Sequence, residues 1–221
     1  MQTLTAVVLG ATGLVGEKLV QQLLNDPAFS KVRILVRRPV KLSHPKLEAE
    51  IVNFDNLAEY RLRLGRGDCI FCCVGTTQKK VKGDKKAYRK VDVDIPVNAA
   101  KMGKDAGFTK YLLVSAVGAD RHSKNFYLQL KGEVEREIAD LNFYSFHVFR
   151  PSILLGERKE FRLAESIGKG IMQGLSGLFM GKLKKFKGIA GADVAKAMIA
   201  AAKSDGKGMF VHHYDDMMKV S

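Results

Sequence analysis

GATGLVG, residues 10–16, is the stretch that decides the fold. It follows an apolar run and opens a helical pattern, so it predicts a strand, a glycine-rich turn and a helix in that order. Gly10 would make the tight turn, Gly13 would let a pyrophosphate approach the backbone, and Gly16 would let the helix pack closely. Free amides at the helix N-terminus attract phosphates. The loop predicts a dinucleotide site, although its G-x-x-G-x-x-G spacing is one residue wider than the usual fingerprint, and a purely structural turn is the alternative.

Short apolar runs alternate with helical patterns along the chain. Strands are predicted at residues 4–9, 32–36, 49–53, 69–74, 111–115, 145–150 and 209–212. Helices are predicted at residues 14–25, 57–64, 85–106, 126–141, 162–178, 193–203 and 215–220. This alternation is typical of an α/β fold, here a doubly wound, mostly parallel, Rossmann-like sheet with helices on both faces. In such a sheet, ligands bind at the carboxyl ends of the strands.

Length and composition fit one domain spanning residues 1–221. Hydrophobic residues make up 46% of the chain, which excludes intrinsic disorder. The apolar runs are too short to span a bilayer, and the N-terminus lacks the pattern of a secretory signal. We therefore expect a cytoplasmic protein.

The cysteines Cys69, Cys72 and Cys73 lie together, and the first two form a C-x-x-C pattern. Because successive side chains of a strand point to opposite faces, residues three apart diverge and cannot share a metal ion. No second cysteine or histidine group stands at zinc spacing. We therefore expect these thiols to pack in the core, and we expect no metal site.

Two arginines, Arg37 and Arg38, follow the second predicted strand. Enzymes that prefer NAD usually place an acid here to bind the ribose 2′-hydroxyl, whereas arginine accommodates the 2′-phosphate of NADP. The pair therefore favours NADP(H) over NAD(H). Asp55, which follows the third predicted strand, has two interpretations that the sequence does not separate: a hydrogen bond to the adenine amino group, or an N-cap for the next helix.

Tyr127 and Lys131 form a Y-x-x-x-K pattern on a predicted helix, where residues four apart share a face. At about 4 Å and an effective dielectric constant of about 20, the ammonium would favour the phenolate by at most about 4 kcal/mol, or up to about three pKa units. A tyrosine pKa lowered in this way suits proton transfer near neutral pH. Ser115, at the end of the fifth predicted strand, would orient a substrate carbonyl. The structural alternatives are a surface Tyr–Lys pair and a serine that caps a turn.

Three longer stretches carry a family resemblance: FCCVGTT (71–77), VSAVGADRHSKNFYLQLKGEVE (114–135) and FRPSILLGERKEFR (149–162). With the glycine loop, they resemble the Tat-interactive-protein-like reductases, an atypical branch of the short-chain dehydrogenase/reductase superfamily. The resemblance implies a Rossmann-like fold that binds NADPH. Relatives often carry two serines where this chain has Ser115 and Ala116, and which of those two serines is active in the relatives stays open.

The resemblance also implies roles for individual residues. Tyr127 would be the proton donor, and Lys131 would be its partner and a cofactor ligand. Arg37 and Arg38 would hold the 2′-phosphate. The other implied cofactor contacts are Gly10, Thr12, Gly13, Leu14 and Val15 at the pyrophosphate, Val74, Gly75 and Thr76 along the ribose, Leu154 near the nicotinamide carboxamide, and Arg162.

The formal net charge is +14, and the segment 79–90 is its most basic stretch. This segment is a solvated helix start, a funnel for NADPH and an anionic small-molecule substrate, or a nucleic-acid surface. No nucleic-acid-binding signature supports the last interpretation. The glycine-rich segment 168–187 predicts a lid or a contact in a homo-oligomer, with an amphipathic membrane helix as the alternative. Residues 152–190 are expected to form the substrate-side cap.

The sequence thus predicts an NADP(H)-dependent reductase that acts on the carbonyl group of a small molecule. The alternative is an NADPH-binding regulatory or scaffold protein without turnover, because no motif for a substrate can be identified.

Overall fold

The computed structural model describes residues 3–77, 81–155 and 187–219. Its strands are β1 (Leu4–Leu9), β2 (Phe29–Val36), β3 (Leu47–Ile51), β4 (Cys69–Cys72), β5 (Lys110–Val114), β6 (Ser145–Phe149), β7 (Leu154–Leu155), β8 (Ile189–Ala190) and β9 (Gly208–His212). Within these residues one sheet has the order β3-β2-β1-β4-β5-β6-β9, with every neighbouring pair parallel. Strands β7 and β8 form a separate parallel pair.

Helices cover both faces of the sheet. They are α1 (Leu14–Asn25), α2 (Leu57–Leu64), α3 (Lys85–Arg89), α4 (Ile95–Asp105), α5 (Phe126–Ala139), α6 (Gly191–Lys203) and α7 (Tyr214–Met218). Helices α1 and α6 enclose one hydrophobic core, and helices α2, α4 and α5 enclose the other. The predicted doubly wound α/β architecture is confirmed.

Strand side chains divide between these two cores by simple alternation. In β1, Ala6 and Val8 face one core while Val7 and Leu9 face the other, which explains the unbroken apolar run. Cys69 and Cys72 in β4 likewise enter different cores. Burial raises the pKa of both thiols, so they are inert packing groups, as predicted.

The glycine loop brings three backbone segments together. Gly10 has a φ of +78°, and a Cβ there would lie 2.6 Å from the carbonyl carbon of Cys73. A Cβ on Gly16, in the first turn of α1, would lie 2.1 Å from the Gly10 carbonyl oxygen. Helix α1 therefore starts against the turn itself, and the turn lies against the segment that follows β4.

We expect Gly16→Ala to destabilise the protein by about 2–3 kcal/mol, because the contact at 2.1 Å involves backbone atoms that cannot rotate away. In a chain of this size the melting temperature should fall by roughly 5–10 °C. Gly75→Ala is the matched control, since its Cβ would meet its nearest neighbour at 3.6 Å. Equal melting temperatures for the two variants would contradict the packing role of Gly16.

The helix predicted at residues 85–106 is interrupted, because a π-helical turn, Lys90–Asp94, separates α3 from α4. Pro96 explains the interruption: it has no N–H to donate to the carbonyl of Asp92, four residues earlier, and its ring crowds that carbonyl. The Ile95 amide donates instead to the Lys90 carbonyl, five residues back. Asp92 lies in this turn, and its side chain is completely buried.

Two other predictions concern the start of strand β2 and the expected cap. Strand β2 begins at Phe29, earlier than predicted, because its first residues pair with β1. The predicted helix at 162–178 and most of the expected cap at 152–190 lie outside the described residues.

Strand β9 pairs with β6 at the edge of the sheet, and stacked aromatic rings accompany this pairing. The ring centroid of His147, on β6, lies 4.8 Å from that of Phe210 and 5.2 Å from that of His212. Its Nδ1 lies 2.9 Å from His212 Nε2, and its Nε2 lies 2.8 Å from Ser145 Oγ. Burial, and then the neighbouring His212 and Lys110, lower the pKa of His147 to about 4. The imidazole is therefore neutral in the folded protein at neutral pH.

We expect stability to fall as the pH drops from 6.5 toward about 4, because His147 takes up a proton more readily in the unfolded chain. The lowered pKa sets the loss at no more than about 3.5 kcal/mol. Urea unfolding across this pH range measures it. His147→Phe keeps an aromatic ring in the stack but cannot titrate, so its pH-dependent loss should be smaller. An identical loss in both proteins would refute the assignment.

Candidate functional site

A cleft of about 610 Å³ lies at the carboxyl ends of the central strands. This volume is within the range of roughly 300–1,000 Å³ that is usual for small-molecule sites. The glycine loop and the segment after β2 form two of its walls, and the segment after β4 forms a third. Predicted cofactor residues lining it are Gly10, Thr12, Gly13, Arg37, Arg38, Val74, Gly75 and Thr76.

A smaller cavity of about 50 Å³ continues this cleft, because both are lined by Val74, Gly75 and Thr76. Its lining also contains the predicted residues Leu14, Val15, Ser115, Tyr127, Lys131 and Leu154. The structure therefore brings the glycine loop and the Y-x-x-x-K pair into one continuous groove. Arg162 lies outside the described residues.

Arg37 and Arg38 are exposed at the mouth of the large cleft. Within the described ranges, neither guanidinium is paired with an acidic side chain. Asp55 does not line the cleft; its Oδ1 lies 2.6 Å from Lys90 Nζ, while its neighbour Phe54 contributes to the wall. The N-cap interpretation of Asp55 is wrong, because Asn56 caps α2 and accepts the Glu59 amide at 3.1 Å.

Tyr127 and Lys131 share one face of α5, as their spacing predicts. Asn125 caps this helix by accepting the amides of Tyr127 and Leu128, at 3.0 and 3.2 Å. The Lys131 ammonium is buried and lies 5.8 Å from the centroid of the Tyr127 ring. The ring stacks on Tyr88 of α3 at 6.4 Å. Phenol and ammonium therefore meet at the small cavity, rather than on the surface.

Lys131 has an acidic partner that the Y-x-x-x-K pattern does not predict. Asp92, fully buried in the π-helical turn, places Oδ1 3.0 Å from Lys131 Nζ. Its Oδ2 accepts the Thr76 amide at 2.8 Å. Burial alone would lower the pKa of Lys131, but the Asp92 carboxylate outweighs that effect and holds the pKa above its ordinary value. Lys131 is therefore a firmly charged ammonium with a neutralising partner.

Ser115 also has a partner that the sequence analysis missed. Its hydroxyl donates a hydrogen bond to Glu135 Oε1, and both side chains are buried. Arg150 pairs with the same carboxylate, with Nε 3.1 Å from Oε1. A hydroxyl has one hydrogen, so Ser115 can donate to a substrate only by releasing Glu135. Ala116, the next residue, is fully buried and has no hydroxyl.

Both missed acids leave signals in the sequence. Glu135 follows Lys131 by four residues, as Lys131 follows Tyr127, so all three share one face of α5. Asp92 stands four residues before Pro96, where a helix must open. Among the described residues, no group of three or more metal-binding side chains is found, and no helix is long and apolar enough to cross a membrane.

Comparison with known proteins identifies the family. A family described as NAD(P)H-binding matches residues 10–158, more than half of the chain. The chain belongs to this family. Protein HTATIP2 of Rattus norvegicus is 36% identical over 172 residues, which span 76% of this chain and 70% of that protein. Protein FMP52 of Coccidioides immitis (strain RS) is 33% identical over 215 residues, or 92% of this chain and 87% of that protein. The resemblance to the atypical short-chain dehydrogenase/reductases is confirmed.

The expected cytoplasmic location of this protein is contradicted by its FMP52 relatives. FMP52 proteins of Coccidioides immitis, Scheffersomyces stipitis, Eremothecium gossypii and Candida albicans are named mitochondrial, and they align with 90–99% of this chain. The expectation rested on a missing secretory signal, which does not distinguish one intracellular compartment from another.

Solved structures show the same fold at low identity. A UDP-N-acetylglucosamine 4-epimerase from Methanobrevibacter ruminantium M1 has a TM-score of 0.71 at 18% identity, covering 96% of this chain and 77% of that chain. The Bordetella bronchiseptica enzyme WbmH, solved with NAD⁺, has a TM-score of 0.70 at 15% identity, covering 96% and 76%. The NAD(P)H-binding chain thus has the Rossmann-like architecture that the sequence predicts.

We expect Glu135→Gln to cost about 2–4 kcal/mol of unfolding free energy, because it removes the buried charge that binds Arg150 and Ser115. Denaturant unfolding measures the loss. Glu137→Gln is the matched control on the same helix: its ion pairs are long and exposed, so it should cost less than about 1 kcal/mol. Similar losses in the two variants would contradict a structural role for the Glu135 cluster.

Proposed function

We propose that the protein is an NADP(H)-dependent reductase that acts on a carbonyl group of a small molecule. The observation that carries the proposal is the continuous groove, which joins the glycine loop and two arginines at one end to Tyr127 and Lys131 at the other. A dinucleotide needs such a groove because its nucleotide end and its reactive end lie far apart. The family to which the chain belongs supports the nucleotide half of this proposal.

The residues present fit such a cofactor. Gly13 opens the turn where the pyrophosphate would lie, since a Cβ there would already be 3.2 Å from the Gly10 carbonyl oxygen. No side chain caps the N-terminus of α1 among the described residues, so its first amides, which have no partner within the helix, and its partial positive charge face the phosphates. Arg37 and Arg38 would hold a 2′-phosphate by charge-assisted hydrogen bonds, which supports NADP(H) over NAD(H).

The reductase chemistry assigns a task to each residue of the small cavity. A bound reduced nicotinamide supplies hydride. Tyr127 would donate the proton to the carbonyl oxygen, and Lys131 would hold the ribose hydroxyls through its ammonium hydrogens. Ser115 would orient the carbonyl, which requires its hydroxyl to exchange Glu135 for the substrate.

The substrate side is proposed on charge alone. Lys85 and Lys86 lie on the exposed start of α3, and Lys85 Nζ lies 5.3 Å from the ring centroid of Phe126, the residue before Tyr127, so the charge near the reactive end favours an anionic substrate. The role of the segment 152–190 as a cap, and the formation of a homo-oligomer, stay predictions.

We expect NADPH to raise the melting temperature by several degrees at about a hundredfold excess over its dissociation constant, and NADH to do so only at higher concentration. Replacing Arg37 and Arg38 together by alanine should weaken NADPH binding about 10- to 100-fold and leave NADH binding nearly unchanged. Calorimetric titration with both nucleotides measures this. Lys41→Ala, a neighbouring exposed cation that does not line the cleft, should change neither affinity.

Two results would overturn the proposal at different points. No binding of either nucleotide would make the glycine loop a purely structural turn. Binding of NADPH without oxidation by any member of a panel of aldehydes and ketones, in wild type and Tyr127→Phe alike, would favour the regulatory or scaffold protein.

A further inference from the structure

We propose that Asp92 is a positioning residue for Lys131: it fixes the ammonium, offsets its charge, and so sets the pH at which Tyr127 releases its proton. The inference rests on the role proposed above for Tyr127. It depends on an ion pair between two residues that are 39 positions apart in the chain, Asp92 in the π-helical turn and Lys131 in α5.

Both carboxylate oxygens of Asp92 are directed at groups of the small cavity. Its side chain is completely buried, with Oδ2 held by the Thr76 amide at 2.8 Å and Oδ1 directed at Lys131 Nζ at 3.0 Å. Oδ1 accepts no hydrogen bond among the described residues, so the ion pair is its one compensating interaction there. A buried carboxylate of this kind is strongly unfavourable without a cation.

The Asp92–Lys131 pair lies close enough to Tyr127 for its charges to affect the ionisation of the phenol. The groups that face Lys131 are Asp92 from the π-helical turn, Tyr127 from α5 and Cys72 from β4. Tyr88 of α3 stacks on the Tyr127 ring, and Ser115, directly after β5, lines the same cavity. Asp92 is the acid of this set, and it stands against the cation that favours the phenolate.

The pair changes what Y-x-x-x-K chemistry predicts for this chain. A lone ammonium would strongly favour the tyrosinate, whereas an ammonium with a carboxylate 3.0 Å away acts as a dipole whose field falls off faster. Asp92 therefore keeps Tyr127 protonated to a higher pH, which suits a residue that must donate a proton in the reductive direction.

The test is spectroscopic and needs no substrate. Tyrosinate absorbs at longer wavelength than tyrosine, so subtracting the same protein with Tyr127→Phe isolates the ionisation of this one among six tyrosines. Asp92→Asn keeps the shape but leaves the Lys131 charge uncompensated. We expect the midpoint of Tyr127 ionisation to fall by about one pH unit. Asp94→Asn is the matched control, since Asp94 is half-exposed and pairs only loosely with Arg89 at 3.8 Å; its midpoint should not move.

A second comparison covers the case in which Asp92→Asn does not fold. Lys131→Gln retains the Asp92 charge, and the double variant Asp92→Asn, Lys131→Gln carries neither charge, so it buries no unpaired ion. The midpoint of Tyr127 should be about one pH unit lower in the double variant than in Lys131→Gln. A midpoint unmoved in Asp92→Asn, or equal midpoints in this second pair, would overturn the proposal.

The same proteins separate this inference from the proposed function. Thermal shift of the wild type with NADPH tests the cofactor site, and it does not depend on how Tyr127 titrates. A shifted Tyr127 midpoint without NADPH binding would retain Asp92 as the group that tunes Tyr127 and refute the reductase. NADPH binding with unmoved midpoints would retain the cofactor site and refute the role of Asp92.

Discussion

The close approach of α1 to the turn at Gly10 is the constraint on which the rest of the site depends. Because Gly16 has no side chain, the first turn of α1 can contact the Gly10 carbonyl. Gly10 itself adopts a positive φ and has no Cβ, so the glycine loop can pack against the backbone after β4. The glycine loop and the start of α1 are thus packed against a segment that lies more than 50 residues further along the chain. The helix N-terminus, with its unpaired amides, opens onto the groove as a result.

The segment after β4 passes this constraint on to the second half of the groove. Its Thr76 amide is held by Asp92, and Asp92 holds Lys131. A continuous set of contacts therefore runs from the glycine loop to the helix that carries Tyr127. The geometry of the glycine loop and the geometry of the Tyr127–Lys131 pair therefore cannot vary independently, because closely packed interiors have few alternative arrangements.

The sequence predicted best what local rules determine. The bounds of β1, α1 and α2 agree with the structure at both ends, because glycines and an N-capping residue mark them. Strand β2 starts early because its partner β1 supplies the hydrogen bonds, which is information from outside the segment. The environment of Asp92 depends both on a local sequence signal and on the fold. Pro96 is a local signal that the helix opens, but only the fold shows that the opening faces Lys131.

The buried partner of Ser115 alters how the catalytic set is understood. Glu135 accepts from Ser115 and from Arg150, so this serine is part of the framework that joins α5 to the segment after β6. Ala116 offers no second hydroxyl. In the proposed reductase, orientation of the carbonyl would then depend on Tyr127 as donor, on the walls of the small cavity, and on how readily Ser115 exchanges its partner. In such a reductase, a serine held this firmly would favour a substrate that makes its strongest contacts with other groups of the small cavity.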